Sequence, residues 1–215
     1  MQTVIGSNGQ IGYELAKELN QTYGKQLRLV SRNPKSINDT DELISADILD
    51  REATIRAVAG SEIVYFAAGL PMDSEQWKTK FEIMLENVIQ ACKETKAKLV
   101  FFDNTYMYEK NDTEQFEDSK FIYDGIKSTV RAKMADRLVT EMENPDIDVM
   151  ICRAPEFYGP NKTQSITNSL LFNRVKDDKT ALVPISDQTL RTLIWTPDAS
   201  KAMALLANHP DTYNQ

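Results

Sequence analysis

Thr3-Val4-Ile5-Gly6-Ser7-Asn8-Gly9-Gln10-Ile11-Gly12 is the stretch on which the reading of this chain turns. A short apolar run ends at Gly6, and Gly9 and Gly12 follow at a spacing of three. Apolar residues then recur at helical spacing as Ile11, Leu15, Ala16 and Leu19. That is a strand, a tight loop and a helix in immediate succession. Glycine serves such a loop in three ways: it allows the sharp turn, lets backbone approach a pyrophosphate, and lets the helix pack close to the strand. The anion would rest on N–H groups at the positive end of the helix. Gly6, Asn8, Gly9, Gln10, Ile11 and Gly12 are therefore read as dinucleotide contacts, with a tight turn that holds no ligand as the alternative.

Outward from the loop, strands and helices alternate. Leu27-Arg28-Leu29-Val30 reads as a second strand, stopped by Ser31-Arg32-Asn33-Pro34, and Lys35 to Glu42 reads as loop. Ile44 to Ile48 reads as a third short strand, and Asp50 as the N-cap of a helix through Ala59. Ile63 to Ala68 is almost wholly apolar and ends at Gly69, as a strand buried on both faces would. Helices are expected over Trp77–Thr95, Lys127–Met142 and Asp198–Ala207. Further strands are expected over Lys98–Phe102, Val149–Cys152 and Thr192–Trp195, with a polar acidic loop from Asn111 to Lys120. Such alternation predicts an α/β fold, a doubly wound parallel sheet with helices on both faces. Residues 1–155 form the nucleotide-binding domain of this reading, and residues 156–215 a partial substrate-binding region with a returning helix.

The chain has 215 residues, 25 basic and 32 acidic, for a net charge of −7. With 41% hydrophobic and 27% charged residues it is not a disordered polymer. The acidic balance argues against nucleic acid and anionic membranes as partners and leaves a small molecule. No apolar run approaches membrane-spanning length, and the N-terminus lacks a basic segment followed by an apolar one. Cys92 and Cys152 show no framework spacing, so a reducing, cytoplasmic setting is expected. The one histidine, His209, excludes His-rich metal sites and nucleophile mechanisms that need a histidine base, and no metal site is expected.

The tip of the second strand bears on which dinucleotide is bound. NAD binders usually carry a carboxylate about 20 residues after the loop, to hold the ribose 2′-hydroxyl. Here the tip reads Ser31-Arg32. A guanidinium offers a planar fork that suits a 2′-phosphate. NADP(H) is thus favoured over NAD(H); alternatively Arg32 stacks on adenine or faces water.

With these residues in place, the chain resembles the short-chain dehydrogenase/reductase superfamily, and most of all the atypical members of its NAD-dependent epimerase/dehydratase branch. The matching segments run in order over essentially the whole chain. They are Gly6 to Gly12, Ala46-Asp47-Ile48-Leu49-Asp50, Tyr65-Phe66-Ala67-Ala68-Gly69, Asn87, Asp103-Asn104-Thr105-Tyr106-Met107-Tyr108, Arg153-Ala154-Pro155-Glu156-Phe157-Tyr158-Gly159-Pro160, and Arg191 followed by Asp198. The resemblance implies a Rossmann-type fold and hydride transfer on an alcohol or carbonyl substrate, with a sugar nucleotide as one such substrate. It implies that Asp47 and Ile48 lie against adenine, that Ala67, Ala68 and Gly69 let the nicotinamide ribose lie close, and that Pro155 lines the nicotinamide. It further implies that Arg191 contacts a substrate diphosphate, a surface arginine being the alternative.

The superfamily's working pair is Tyr-x-x-x-Lys, and the chain has Tyr123-Asp124-Gly125-Ile126-Lys127. On a helix, positions i and i+4 share a face. A nearby ammonium and the positive ring of an oxidised nicotinamide favour the phenolate. The phenolate can then take the proton of an alcohol as hydride leaves its carbon. Lys127 would also hold ribose hydroxyls. By register Asn104 stands where the family carries Ser or Thr, with Thr105 beside it, so either would polarise the substrate oxygen. Lys127 to Ala132 also resembles atypical members that lack the tyrosine, which keeps Tyr123 as a loop residue in play. Tyr106 and Tyr108 are expected to line the cleft or to pack in the core. The end of the chain, Tyr213-Asn214-Gln215, looks like an interior segment, as in a truncated chain or a compact variant. The helices over Trp77–Thr95 and Lys127–Met142 resemble those that build a homodimer. A non-catalytic NADP(H)-binding sensor or scaffold is the second functional reading.

Overall fold

The computed structural model describes residues 1–160, 165–183 and 186–215. Strands β1 (Gln2–Ile5), β2 (Leu27–Ser31), β3 (Glu42–Ser45), β4 (Ile63–Phe66), β5 (Lys98–Asp103) and β6 (Val149–Arg153) form one parallel sheet in the order β3-β2-β1-β4-β5-β6. The helices are α1 (Gln10–Gln21), α2 (Arg51–Val58), α3 (Ser74–Thr95), α4 (Ile126–Met142), α5 (Asn173–Lys176) and α6 (Thr196–Ala207). A two-stranded parallel sheet, β7 (Glu156–Tyr158) with β8 (Leu193–Trp195), and a π-helix over Asn168–Phe172 lie beyond β6.

Alternate side chains of each strand enter opposite cores, because a strand's side chains point to its two faces in turn. Val4, Leu29, Tyr65 and Val100 pack with α1 and α6. Their neighbours Ile5, Val30, Phe66 and Phe101 pack with α2, α3 and α4. Both faces of the central strands are dry, which explains why β4 reads as a continuous apolar run.

Several boundaries differ from expectation for local reasons. β3 starts at Glu42 and ends at Ser45, because Glu42 pairs with Leu27's neighbour Arg28 on β2, Nε to carboxylate 3.0 Å. Asp47 and Ile48 therefore lie in the turn after the strand. β4 stops at Phe66, so Ala67 and Ala68 belong to the loop that follows. α3 begins at Ser74, since the Asp73 carboxylate accepts from the N–H groups of Glu75 and Gln76. α6 begins at Thr196, with Pro197 in its first turn. No described helix is long and apolar enough to cross a membrane.

Candidate functional site

β1 lies between β2 and β4, so the chain reverses direction across the sheet at the carboxyl end of β1, where ligands bind in open α/β sheets. The glycine loop occupies this point. Gly6 has φ +87°, and a Cβ there would lie 2.5 Å from the Ala68 Cα. A Cβ on Gly12 would lie 2.5 Å from the Gly6 carbonyl oxygen. Both positions thus require glycine, and the loop, the start of α1 and the end of β4 close into one backbone cradle. The Gly9 N–H donates to the Gly6 carbonyl at 2.9 Å. Gly9 itself caps α1 in extended conformation, with no side-chain cap. Ser7 is fully buried, and its Oγ has no partner among the described residues. A backbone-lined cradle with an orphaned buried hydroxyl fits a dinucleotide pyrophosphate.

Asn8 is engaged within the protein. Its Nδ2 donates to the Asn33 carbonyl at 2.7 Å and its Oδ1 accepts from the Lys35 N–H at 3.3 Å. It therefore ties the glycine loop to the loop after β2. At the tip of β2, the Ser31 Oγ is buried and unpartnered among the described residues. The Arg32 side chain is exposed beside it. Asp47 is exposed, and one carboxylate oxygen accepts from the Leu49 N–H. The adjacent Ile48 carbonyl accepts from the buried Asn87 amide at 2.9 Å, which anchors this turn to α3. Ala67 and Ala68 are half-buried and Gly69 is exposed at the mouth of the cradle, while Pro155 is half-buried after β6.

At the carboxyl ends of β5 and β6 a buried ion cluster supports the cleft. Asp103 lies 3.4 Å from Arg131 Nη1 on α4 and 3.7 Å from Arg153 Nε on β6. Burial pushes the Asp103 carboxyl up, and the two guanidiniums pull it back. Arg131 is stacked among the rings of Trp77, Phe81 and Phe101. Tyr106 lies against the same Trp77, ring centroids 5.9 Å apart. The Asn104 Oδ1 accepts from the Tyr106 N–H, and its Nδ2 has no partner among the described residues. Burial and then Glu156 push the Tyr106 hydroxyl up in pKa, and Arg131 pulls it down. Thr105 is half-buried beside these residues.

Two expectations are corrected here. Tyr123 and Lys127 do not share a helical face: Gly125, at φ +83°, caps α4 at Ile126, so Tyr123 precedes the helix. Tyr123 is 54% exposed and its hydroxyl donates to the Asp136 carboxylate, which raises its pKa. Lys127 sits 5.4 Å over the Trp77 ring instead. Tyr108 does not line the cleft either. It is buried, packs on Phe121, and its hydroxyl accepts from Arg153 Nη1 at 2.9 Å. Sequence reasoning missed Trp77, Arg131 and Glu156. A signal existed for Arg131, a charge on the same stripe as the buried Met134 and Leu138.

Beyond β6, Glu156 Oε1 accepts from both the N–H and the hydroxyl of Thr167 at 2.8 Å. Its Oε2 lies 3.3 Å from Arg191 Nη1. Asn168, at the start of the π-helix, is buried, and its Oδ1 has no partner among the described residues. A cavity of about 100 Å³ opens beside them, lined by Ile166, Leu170, Leu171, Leu182, Val183 and Leu193. Thr167 and Arg191 complete its wall.

Comparison with known proteins agrees with this geometry. The family model for the NAD dependent epimerase/dehydratase family matches residues 3–215. No curated protein matches this chain. A dTDP-glucose 4,6-dehydratase from Streptomyces venezuelae, with NAD bound, superposes with TM-score 0.81 at 15% identity, over 96% of this chain and 71% of its own. A UDP-glucose 4-epimerase from Thermus thermophilus, also with NAD, gives 0.80 at 16%, over 97% and 75%. A UDP-N-acetylglucosamine 4-epimerase from Methanobrevibacter ruminantium, in complex with UDP-N-acetylmuramic acid, gives 0.81 at 16%, over 95% and 71%. At such identities these structures speak for the fold, and the family model carries the assignment: the chain belongs to the NAD-dependent epimerase/dehydratase family of enzymes.

Proposed function

We propose that this protein is an NADP(H)-preferring oxidoreductase or epimerase that moves hydride to or from an alcohol or carbonyl carbon. The backbone cradle around Gly6, Gly12 and Ala68 carries the reading: Gly6 and Gly12 let the loop close tightly on Ala68 and on the start of α1, whose N-terminus has no side-chain cap and leaves backbone N–H groups for a pyrophosphate. Ser7, Gly9, Gln10, Ile11 and Gly12 would hold the pyrophosphate, Asp47 and Ile48 the adenine, and Ala67, Ala68, Gly69 and Pro155 the nicotinamide end. Ser31 and Arg32 would meet a 2′-phosphate, with the exposed Lys35 three residues further along the same loop. When bound, the nicotinamide supplies or accepts the hydride.

The chain's own residues manage the proton. Asn104 Nδ2 would donate to the substrate oxygen, with Thr105 beside it. Tyr106, at the carboxyl end of β5, would give that oxygen its proton in reduction and take it back in oxidation. Tyr106 is preferred to Tyr123 for this role because the Tyr123 side chain is exposed and its hydroxyl donates to Asp136. Lys127 would hold ribose hydroxyls from its place over Trp77. Similar solved structures include a dTDP-glucose dehydratase and a UDP-glucose epimerase, so sugar nucleotides belong in the substrate panel beside simple carbonyl compounds. Ile83 and Val139 are exposed on α3 and α4, which supports a homodimer through those helices.

NADPH oxidation against a panel of aldehydes, ketones and oxidised sugar nucleotides tests the proposal. Tyr106→Phe should cut kcat by about 10²- to 10⁴-fold with cofactor affinity retained. Tyr123→Phe should leave it within about threefold, as expected for an exposed surface pair. The opposite ranking would return the role to Tyr123, and no turnover with intact NADPH binding would favour a sensor or scaffold.

A further inference from the structure

The Arg191 side chain lines the cavity beyond β6, and its charge is met within the protein. Glu156 faces it at 3.3 Å, and Glu156 is fixed by two hydrogen bonds from Thr167. A diphosphate brought to Arg191 would come beside a carboxylate that cannot swing away without breaking those bonds. Like charges so placed disfavour binding. The rest of the wall is aliphatic: Leu170, Leu182, Val183 and Leu193 offer no donor to a nucleobase. At about 100 Å³ the cavity is smaller than the roughly 150 Å³ that holds a benzene ring, so it suits a shorter group.

We infer that this cavity takes a short uncharged apolar group of the substrate, not a nucleoside diphosphate, and that Glu156 enforces the choice by neutralising Arg191. The inference rests on the oxidoreductase reading above and names the substrate class of that site: small aliphatic carbonyl compounds or alcohols. Glu156 is on this view a specificity residue that does not itself carry the transferred proton.

The test is calorimetric titration with methyl ketones from butanone to heptanone, and with UDP-glucose. It is run on the protein saturated with NADP⁺, which cannot reduce a ketone, and on the nucleotide-free protein. Ketone affinity should rise about fourfold per methylene until the cavity is full. UDP-glucose should bind about tenfold or more weaker than the longest ketone that fits. Glu156→Gln should tighten UDP-glucose by about tenfold or more and move the ketones by less than about threefold. Leu182→Asp, a change at a wall residue that is 46% exposed, should flatten the chain-length series. UDP-glucose binding the wild type tighter than every ketone, or ketone affinity that ignores chain length, would overturn the inference. Failure of NADP⁺ to bind would instead strike at the oxidoreductase reading, while the nucleotide-free ketone series still reads the cavity.

Discussion

The glycine loop and the proposed catalytic end of the cleft are built by opposite means. The loop is closed by backbone: Gly6 meets Ala68 after β4, and Gly12 meets the Gly6 carbonyl within one short stretch of sequence. The proposed catalytic end is made of side chains from four separated segments. Trp77 comes from α3, Asp103 and Tyr106 from the end of β5, Arg131 from α4 and Arg153 from β6. The closure of a loop made of backbone depends most on its glycines. A site of stacked rings and buried charges depends on each partner, because losing one leaves another buried and uncompensated.

Substitutions can break this contrast, and their expected sizes fall in order. The largest effect is the loss of about 10²- to 10⁴-fold in kcat for Tyr106→Phe, measured by steady-state NADPH oxidation. Next comes Arg131→Met, which strands the Asp103 carboxylate in the core. It should cost about 3–5 kcal/mol in urea unfolding, and a further Asp103→Asn change should recover part of that loss. Gly6→Ala forces a side chain into left-handed backbone and against Ala68. It should cost about 1–3 kcal/mol of stability and abolish the thermal shift caused by NADPH. Arg32→Ala removes a charge-assisted contact and should weaken NADPH by about tenfold or more, with NADH nearly unchanged. Smallest is Asp50→Ala, which removes the α2 cap that accepts from the Ala53 N–H. It should cost about 1 kcal/mol, or roughly 2–4 °C in Tm. Cofactor binding should survive that change.

The same contrast decides what could be read in advance. The loop was legible because its logic is local: three glycines at fixed spacing between an apolar run and a helical one. The parallel sheet was legible because buried strands are apolar on both faces and alternate with amphipathic helices. β3 was misplaced because its register is set by Arg28 and Glu42, a pair 14 residues apart that looks like loop in sequence. Tyr123-x-x-x-Lys127 failed as a helical pair because spacing alone does not see that Gly125 starts the helix between them. Glu156 meeting Thr167 and Arg191 could not be read at all, since it depends on β7 and β8 lying side by side.

The central claim is that the Gly6–Gly12 cradle holds a dinucleotide and that Arg32 chooses which. Calorimetric titration of the wild type, Gly6→Ala and Arg32→Ala with NADPH and NADH addresses it most directly. The account predicts one-to-one binding to the wild type, with NADPH tighter by about tenfold or more, equal affinities in Arg32→Ala, and no binding in a folded Gly6→Ala. Absence of heat with either nucleotide at millimolar concentration, or wild-type affinity in Gly6→Ala, would contradict it.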